Sequence, residues 1–212
     1  MKTLSQILTD ANAVLDLNAE LPTGTELTTR SNYADQAVWD AAASGQLNEF
    51  KMEFLTTAST LATIPLPADF KELMDDPRIA LSGGWETWEA VEVEQKYDKG
   101  TQDRYCYVLG NPAAGYNLIF NNIEASASVS IIYQRFPSGL LTLSSVCELS
   151  DPQYVVRRIE SYVLYSRSDD RFPSAKAEAN QILSNMVGRG SKGTSGGPRQ
   201  TGMTFRNPLR RL

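Results

Sequence analysis

The sequence predicts an α+β fold, in which a helical bundle carries an inserted small antiparallel β-sheet and a flexible C-terminal arm. Apolar residues recur at helical spacing before residue 63 and after residue 151, and strand-like runs bounded by turn residues lie between. The last 25 residues are rich in glycine and basic residues and contain no Asp or Glu. We therefore divide the 212 residues into N-terminal helices at 1–63, a β-rich subdomain at 64–150, C-terminal helices at 151–187 and a basic docking arm at 188–212.

Three amphipathic helices are predicted in the N-terminal segment, at residues 3–17, from near residue 31 to residue 44, and at 47–62. Pro22 and Gly24 favour a loop between the first two, and short breaks join the three helices into a bundle. Apolar residues three or four apart define one face of each helix: Leu4, Ile7, Leu8, Ala11, Val14 and Leu15 in the first, Ala34, Ala37, Val38 and Ala41 in the second, and Leu47, Phe50, Phe54, Ala58 and Leu61 in the third.

The middle of the chain predicts one short helix and three strands. Residues 66–74 favour a helix because Pro67 suits the first turn, where a missing N–H group costs nothing. Strands are predicted at 105–109, 117–120 and 127–136, with a hairpin loop at 110–115 between the first two. In the third strand, Val129 and Ile131 alternate with Ser128 and Ser130, which is typical of a sheet with one buried face.

Two further helices are predicted after this sheet. Asp151 is a favoured N-cap residue, and Pro152 fits the first helical position. The pattern breaks at 168–173, and Gly188 is a natural C-terminal stop for the second of these helices. The apolar residues that share a face are Val155, Ile159, Tyr162 and Val163 in the first helix and Ala175, Ala179, Ile182, Leu183 and Met186 in the second.

Charge is unevenly distributed along the chain. Residues 1–187 hold 14 Lys and Arg and all 25 Asp and Glu, a net charge of −11, whereas residues 188–212 carry +6. A Gly-rich arm is expected to be disordered in isolation, and its last eight residues alternate apolar anchors with arginines, which favours ordering on an acidic, partly apolar partner surface. A solubilising terminus and a nucleic-acid-binding tail are the alternatives. The predicted partner-binding residues are Arg189, Lys192, Arg199, Phe205, Arg206, Leu209, Arg210, Arg211 and Leu212.

The sequence contains no histidine, which excludes Ser-His-Asp and Cys-His catalysis and histidine-ligated metals. Cys106 and Cys147 are too few for a disulfide framework, and we expect reduced, buried thiols. Residues 188–195 have the composition of a phosphate-binding loop, but they follow a helix and read Lys-Gly-Thr in place of Gly-Lys-Thr. We predict a protein that is not an enzyme and that binds no cofactor or metal.

A carbohydrate-binding module is the least favoured alternative. Tryptophans beside glutamates line many sugar clefts, and this chain has such a group: Trp85, Trp88, Glu86, Glu89, Glu92 and Glu94. Two of these glutamates alternate with Val91 and Val93, as the solvent-facing side of a strand would, so we interpret the group as a solvated or intersubunit surface. No apolar run has the length of a signal peptide core or of a membrane span, so we expect synthesis in the cytoplasm and no membrane partner.

Three stretches, taken in order, resemble the head-to-tail connector (adaptor) proteins of tailed bacteriophages. The first is Ile-Pro-Leu-Pro-Ala-Asp-Phe at 64–70, similar to the Pro-x-Asp-Phe entry into a short helix in those proteins. The second is the strand–loop–strand insert at 103–111, 116–120 and 128–135, in which Ile132 and Tyr133 stand where the family usually has two aromatic residues. The third is the pair of helices at 152–166 and 173–187.

The resemblance implies a structural virion protein of the phage neck. Such proteins attach to the portal protein, commonly as a twelve-membered ring homo-oligomer, and often dock through a C-terminal extension. They join the head to a tail or head-closure protein, while DNA passes through the bore without sequence-specific binding. The expected location is the head–tail junction of the virion, after synthesis in the host cytoplasm. A tail-completion or head-decorating protein is the alternative within the same particle.

Overall fold

The computed structural model describes residues 1–16, 18–44, 47–58, 62–123 and 126–191. Short 3-10 helices cover Asn48–Phe50 and Gln95–Asp98. The remaining elements, in chain order, are α1 (Leu4–Asp16), α2 (Gly24–Ala43), β1 (Lys51–Thr57), β2 (Thr63–Pro65), β3 (Phe70–Leu73), β4 (Arg78–Leu81), β5 (Gly84–Thr87), β6 (Glu89–Ala90), β7 (Tyr105–Asn111), β8 (Gly115–Phe120), β9 (Ser128–Arg135), α3 (Gln153–Ser166) and α4 (Phe172–Ser191).

The predicted fold class, a helical bundle with a small inserted antiparallel sheet, is wrong. The described residues form four α-helices and nine strands in two sheets, which is a mixed α/β architecture with substantial sheet. One sheet has the order β1-β9-β4-β5, with β3 also paired to β9, and the other has the order β2-β8-β7-β6. The β6–β7 pair is parallel, so the second sheet is not purely antiparallel.

The four helices share one apolar core, which we call the helical core. The predicted apolar faces of α1 and α2 are confirmed, because residues such as Leu4, Ile7 and Ala37 are at most 2% exposed. α2 begins at Gly24, earlier than predicted, and its first turns include Leu27, which packs against the core. The two C-terminal helices are also confirmed, although α4 continues through the predicted stop at Gly188 as far as Ser191.

The two sheets share a second apolar core, the sheet core. Ile79, Val129 and Ile131 of the first sheet and Leu118 and Cys106 of the second are all fully buried in it. The predicted strands at 105–109, 117–120 and 127–136 are confirmed as β7, β8 and β9. Apolar residues of both sheets therefore pack into one shared core.

Two segments predicted as helices contain strands. In the segment 47–62, β1 follows the short 3-10 helix, and Phe54 of β1 pairs with Ile131 of β9. In the segment 66–74, β3 takes the place of the short helix and pairs with the end of β9. A register shift between Phe70 and Glu72 marks a β-bulge, which brings Phe70 and Leu73 to the same face although they are three residues apart. Pro67, which favoured a helix here, precedes the strand instead.

The two cores meet at the end of β9. The Nε2 atom of Gln134 donates a buried hydrogen bond of 2.7 Å to the carbonyl oxygen of Ala42 in the last turn of α2. The Trp39 and Phe136 rings lie 5.7 Å apart across the same junction. The first strand of the sheets begins at Lys51. The predicted division of the chain into four segments, with boundaries at 64, 151 and 188, stays a prediction.

Candidate interaction surfaces

The structure describes one of the nine predicted partner-binding residues. Arg189 is exposed in the last turn of α4, where a basic side chain interacts favourably with the helix dipole. The other eight lie outside the described residues, so their binding role stays a prediction. They are Lys192, Arg199, Phe205, Arg206, Leu209, Arg210, Arg211 and Leu212.

The two tryptophans of the proposed sugar cleft occupy different environments. Trp88 is 1% exposed, and its indole Nε1 donates a 3.0 Å hydrogen bond to the carbonyl oxygen of Asn121. Trp85 is 54% exposed. Because one indole is buried in the sheet core, the pair does not line a single cleft.

The glutamates near these tryptophans divide into two groups. Glu86 is paired with Arg104, and Glu89 lies 2.6 Å from the ammonium group of Lys99, whose pKa it raises. Glu92 and Glu94 are exposed, as expected for a solvated surface, and they lie in an irregular segment and not in a strand. They contribute instead to a groove.

This groove, which we call the acidic groove, has a volume of about 370 Å³. It lies where β3 and the segment 91–94 meet the β7–β8 hairpin. Apolar side chains and three glutamates line it together, a combination that the sequence did not reveal because the contributing residues are up to 46 positions apart. The lining residues are Phe70, Lys71, Glu72, Leu73, Val91, Glu92, Val93, Glu94, Val108 and Tyr116.

An exposed apolar patch lies on the first sheet, and we call it the sheet patch. Leu55 of β1 is 64% exposed, and together with Trp85 of β5 it borders a cavity of about 340 Å³. Thr57 and Ser128 pair across β1 and β9 and line the same cavity. An apolar surface of this kind with polar neighbours is typical of a protein contact.

A second exposed apolar patch, the terminal patch, lies beside the helical core. It consists of four exposed residues that the N-terminal segment and the loop before α3 bring together: Met1, Leu141, Leu143 and Val146. Main-chain hydrogen bonds fix this arrangement, from Leu4 N to Ser145 O at 2.9 Å and from Cys147 N to Lys2 O at 2.9 Å. Leu141 is 81% exposed, so the patch is open to solvent.

Most cations before residue 188 are neutralised by neighbouring carboxylates. Ten of these 14 Lys and Arg form ion pairs with acidic residues of the described chain: Lys2, Arg30, Lys71, Lys99, Arg104, Arg135, Arg157, Arg158, Arg167 and Arg171. Arg30 is buried, bonds Asn12 and Glu26, and lies 2.6 Å from Asp16. The remaining acidic groups give the described surface its negative charge.

Both cysteines are unpaired and buried, as predicted. Burial, with a smaller contribution from the Asp76 carboxylate, raises the pKa of Cys106 to about 12. Burial also raises the pKa of Cys147. Thiols in such surroundings stay protonated at neutral pH and are poor nucleophiles.

Within the described part of the chain, no three Cys, Asp or Glu side chains come together as a metal-binding group. None of the helices described combines the length and apolarity needed to cross a bilayer. The sequence matches no protein-family model and no curated protein. The acidic groove, the sheet patch and the terminal patch are the candidate interaction surfaces that the described residues form.

Proposed function

We propose that this protein is a structural virion protein that forms a ring adaptor in a phage neck, attaches to the portal protein and joins head to tail around the DNA channel. The observation that carries the proposal is the presence of two different exposed apolar patches. The sheet patch lies beside the sheet core, and the terminal patch lies beside the helical core. A closed ring of identical subunits requires heterologous contacts, in which one face of a subunit meets a different face of the next. The sheet patch and the terminal patch meet this requirement.

The charge distribution supports the same function. A channel through which DNA slides should not bind phosphate groups, because each basic contact adds salt-dependent affinity. The first 187 residues carry a net charge of −11, and neighbouring carboxylates already neutralise most of their cations. A surface of this kind repels DNA and leaves it free to move.

The C-terminal arm supplies the attachment in this proposal. Arg189 is exposed at the end of α4, and the sequence after it carries five further basic residues and no acidic ones. Such a segment is complementary to an acidic surface on the portal. Ordering the segment costs conformational entropy, so we expect it to order only when contacts with the partner offset that cost. The tail or head-closure protein then binds the assembled ring.

The test is to mix the purified protein with the portal ring from the same source and to image the mixture by electron microscopy. We expect a collar at one end of the portal, whose symmetry gives the number of subunits. A folded protein that adds no collar contradicts the proposal and favours a tail-completion or head-decorating role, which antibody labelling of the intact virion then locates.

Three matched variants test the ring contacts in the same assay. Leu55→Lys changes the sheet patch, Leu141→Lys changes the terminal patch, and Leu109→Lys changes an exposed leucine outside both patches. We expect the first two variants to lose the collar and the third to keep it. A collar that forms equally well with all three variants contradicts the assignment of the patches as ring contacts.

A further inference from the structure

The acidic groove has the chemistry of a site for a basic, partly apolar peptide. Its apolar lining includes Phe70, Val93 and Tyr116, and its glutamates are exposed. Apolar surface that is open to solvent gains free energy when a side chain covers it. Carboxylates around that surface favour cationic neighbours on the same ligand.

The glutamates of this groove are largely available to a ligand. Glu72 lies 3.3 Å from Lys71, the one cation that lines the groove in the described part of the chain. Glu92 and Glu94 form no ion pair with any described residue. Two carboxylates beside an apolar lining therefore lack a cationic partner within the described chain.

Residues 192–212 have the complementary composition, and they belong to this same chain. They include five basic residues and no acidic residue. Four larger apolar residues are interleaved with the arginines, namely Met203, Phe205, Leu209 and Leu212. The segment lies outside the described residues.

The end of α4, which precedes this segment in the chain, lies on the side of the helical core that meets the sheets. Val187, near the end of α4, lines one cavity together with Ser44, which follows α2. Ala42 of α2 accepts the hydrogen bond from Gln134, and Gln134 pairs with Glu72 in the rim of the groove. A short series of neighbouring contacts thus connects the end of α4 to the groove. An extended segment of 21 residues spans up to about 70 Å, which exceeds such a path.

We infer that the acidic groove binds residues 192–212 of the same chain, with arginines near Glu92 and Glu94 and apolar side chains against the groove lining. The basic residues of this segment match the glutamates of the groove, and its apolar residues match the apolar lining. The segment is also long enough to reach the groove from the end of α4. The inference does not rest on the proposed function. If the arm also docks onto a portal, that partner has to displace it from the groove.

Photo-crosslinking in the full chain tests this inference. The substitution Phe205→p-benzoylphenylalanine keeps an aromatic ring and adds a group that reacts with nearby C–H bonds on irradiation. We expect crosslinked protein of monomer mass, with the crosslink mapped by mass spectrometry to residues 70–73 or 91–94. The yield should not depend on protein concentration, because the contact is intramolecular.

A double variant and a charge-matched control complete the experiment. E92Q/E94Q in the same labelled chain should lower the crosslink yield about two- to thirtyfold, because exposed ion pairs each contribute roughly 0.2–1 kcal/mol. The control E20Q/D170N removes two exposed carboxylates outside the groove and should leave the yield unchanged.

Several outcomes would overturn the inference. These are no crosslink to the groove, crosslinks that map elsewhere, or an equal loss of yield in the double variant and its control. A crosslinked dimer whose yield rises with protein concentration would overturn it as well, since the occupant would then be the arm of a second copy.

Discussion

The side-chain amide of Gln134 donates a 2.7 Å hydrogen bond to the carbonyl oxygen of Ala42, and this bond joins the sheet core to the helical core. Carbonyl groups in the last turn of a helix have no intrahelical donor, and the Ala42 carbonyl oxygen accepts hydrogen bonds from Gln134 and from the Ser44 N–H group. Gln134 is 1% exposed, and it lies in β9 between Lys51 of β1 and Glu72 of β3. One buried amide therefore fixes the helical core, the strand β9 and the rim of the acidic groove relative to one another.

The variant Gln134→Ala is expected to lower the free energy of unfolding by about 1–3 kcal/mol, because it removes a donor from a buried carbonyl group. Urea denaturation followed by circular dichroism measures the change. The control Gln181→Ala removes an exposed amide that bonds Asn185 at 3.1 Å, and it should change the free energy of unfolding by less than about 0.5 kcal/mol. Equal effects in the two variants would contradict the linking role of Gln134.

Gly139 occupies a backbone position that excludes other residues. Its φ is +76°, and a Cβ atom would lie 2.6 Å from Oδ1 of Asp35. That same oxygen accepts a 2.8 Å hydrogen bond from Leu140 N, so it cannot move without losing the bond. We expect Gly139→Ala to lower the free energy of unfolding by about 1–3 kcal/mol. Gly83→Ala, where the space is open, is the control, and a similar loss at both glycines in thermal denaturation would contradict the prediction.

The stability of the protein should depend on pH through Asp16. The hydrogen bond from Arg30 is the main cause that lowers the pKa of Asp16 below its ordinary value of 3.8, and Arg167 acts in the same direction. The pKa of Asp16 is therefore lower in the folded state than in the unfolded state, so the ionised carboxylate stabilises the fold above about pH 4. This stabilisation is lost as the pH falls through the folded-state pKa.

Asp16→Asn should therefore lower the urea midpoint at pH 7 and reduce the further loss of stability between pH 4 and pH 2. Glu20→Gln is the comparison, since Glu20 is exposed and forms no ion pair with the described residues. Wild-type and Asp16→Asn proteins with parallel pH profiles would contradict the role of the Arg30 pair.

The thiols should be unreactive in the folded protein. Because burial raises the pKa of Cys106 to about 12, the reactive thiolate is scarce at pH 8 and the sulfur is shielded from solvent. Ellman's reagent should modify Cys106 and Cys147 in urea but not in native buffer. Ser82→Cys, in the exposed turn between β4 and β5, should add one thiol that reacts at once. Rapid labelling of the wild-type native protein would show that the sheet core opens readily.

The sequence alone predicted the long helices, because each presents a continuous apolar stripe to one core. α1 and α3 keep the helical spacing over several turns, and a strand cannot imitate that pattern over such a length. The segment from Leu47 was wrongly predicted as one helix, because its apolar residues have helical spacing but pack into two different cores. Leu47 and Phe50 enter the helical core, whereas Phe54 packs against the sheet core.

Long-range pairing explains the rest of what the sequence did not predict. β3 pairs with β9 across more than 55 residues, and a β-bulge between Phe70 and Glu72 interrupts the register of that pairing. The hairpin of β4 and β5 is a local exception, which was not predicted although Ser82-Gly83-Gly84 is a turn sequence between two short strands. The acidic groove combines Glu72 with Glu94 through tertiary folding, and no local pattern encodes that combination.

Trp88 and Trp85 are expected to have different roles, Trp88 in the stability of the fold and Trp85 in the proposed assembly. Trp88→Ala removes a fully buried side chain and the hydrogen bond to Asn121, so we expect it to lower the free energy of unfolding by about 3–5 kcal/mol. Trp85→Ala changes a side chain that is 54% exposed, so its effect on unfolding should stay below about 1 kcal/mol.

The effect of these variants on assembly should differ from their effect on stability. Trp85→Ala should fold like the wild type but fail to add a collar to the portal ring, because it removes the large apolar side chain of the sheet patch. Trp88→Ala, tested at a temperature where it is folded, should retain the collar because its side chain does not reach the surface. If Trp85→Ala forms a collar at the same protein concentration as the wild type, the sheet patch is not a ring contact. The contact between neighbouring subunits would then have to lie on another surface.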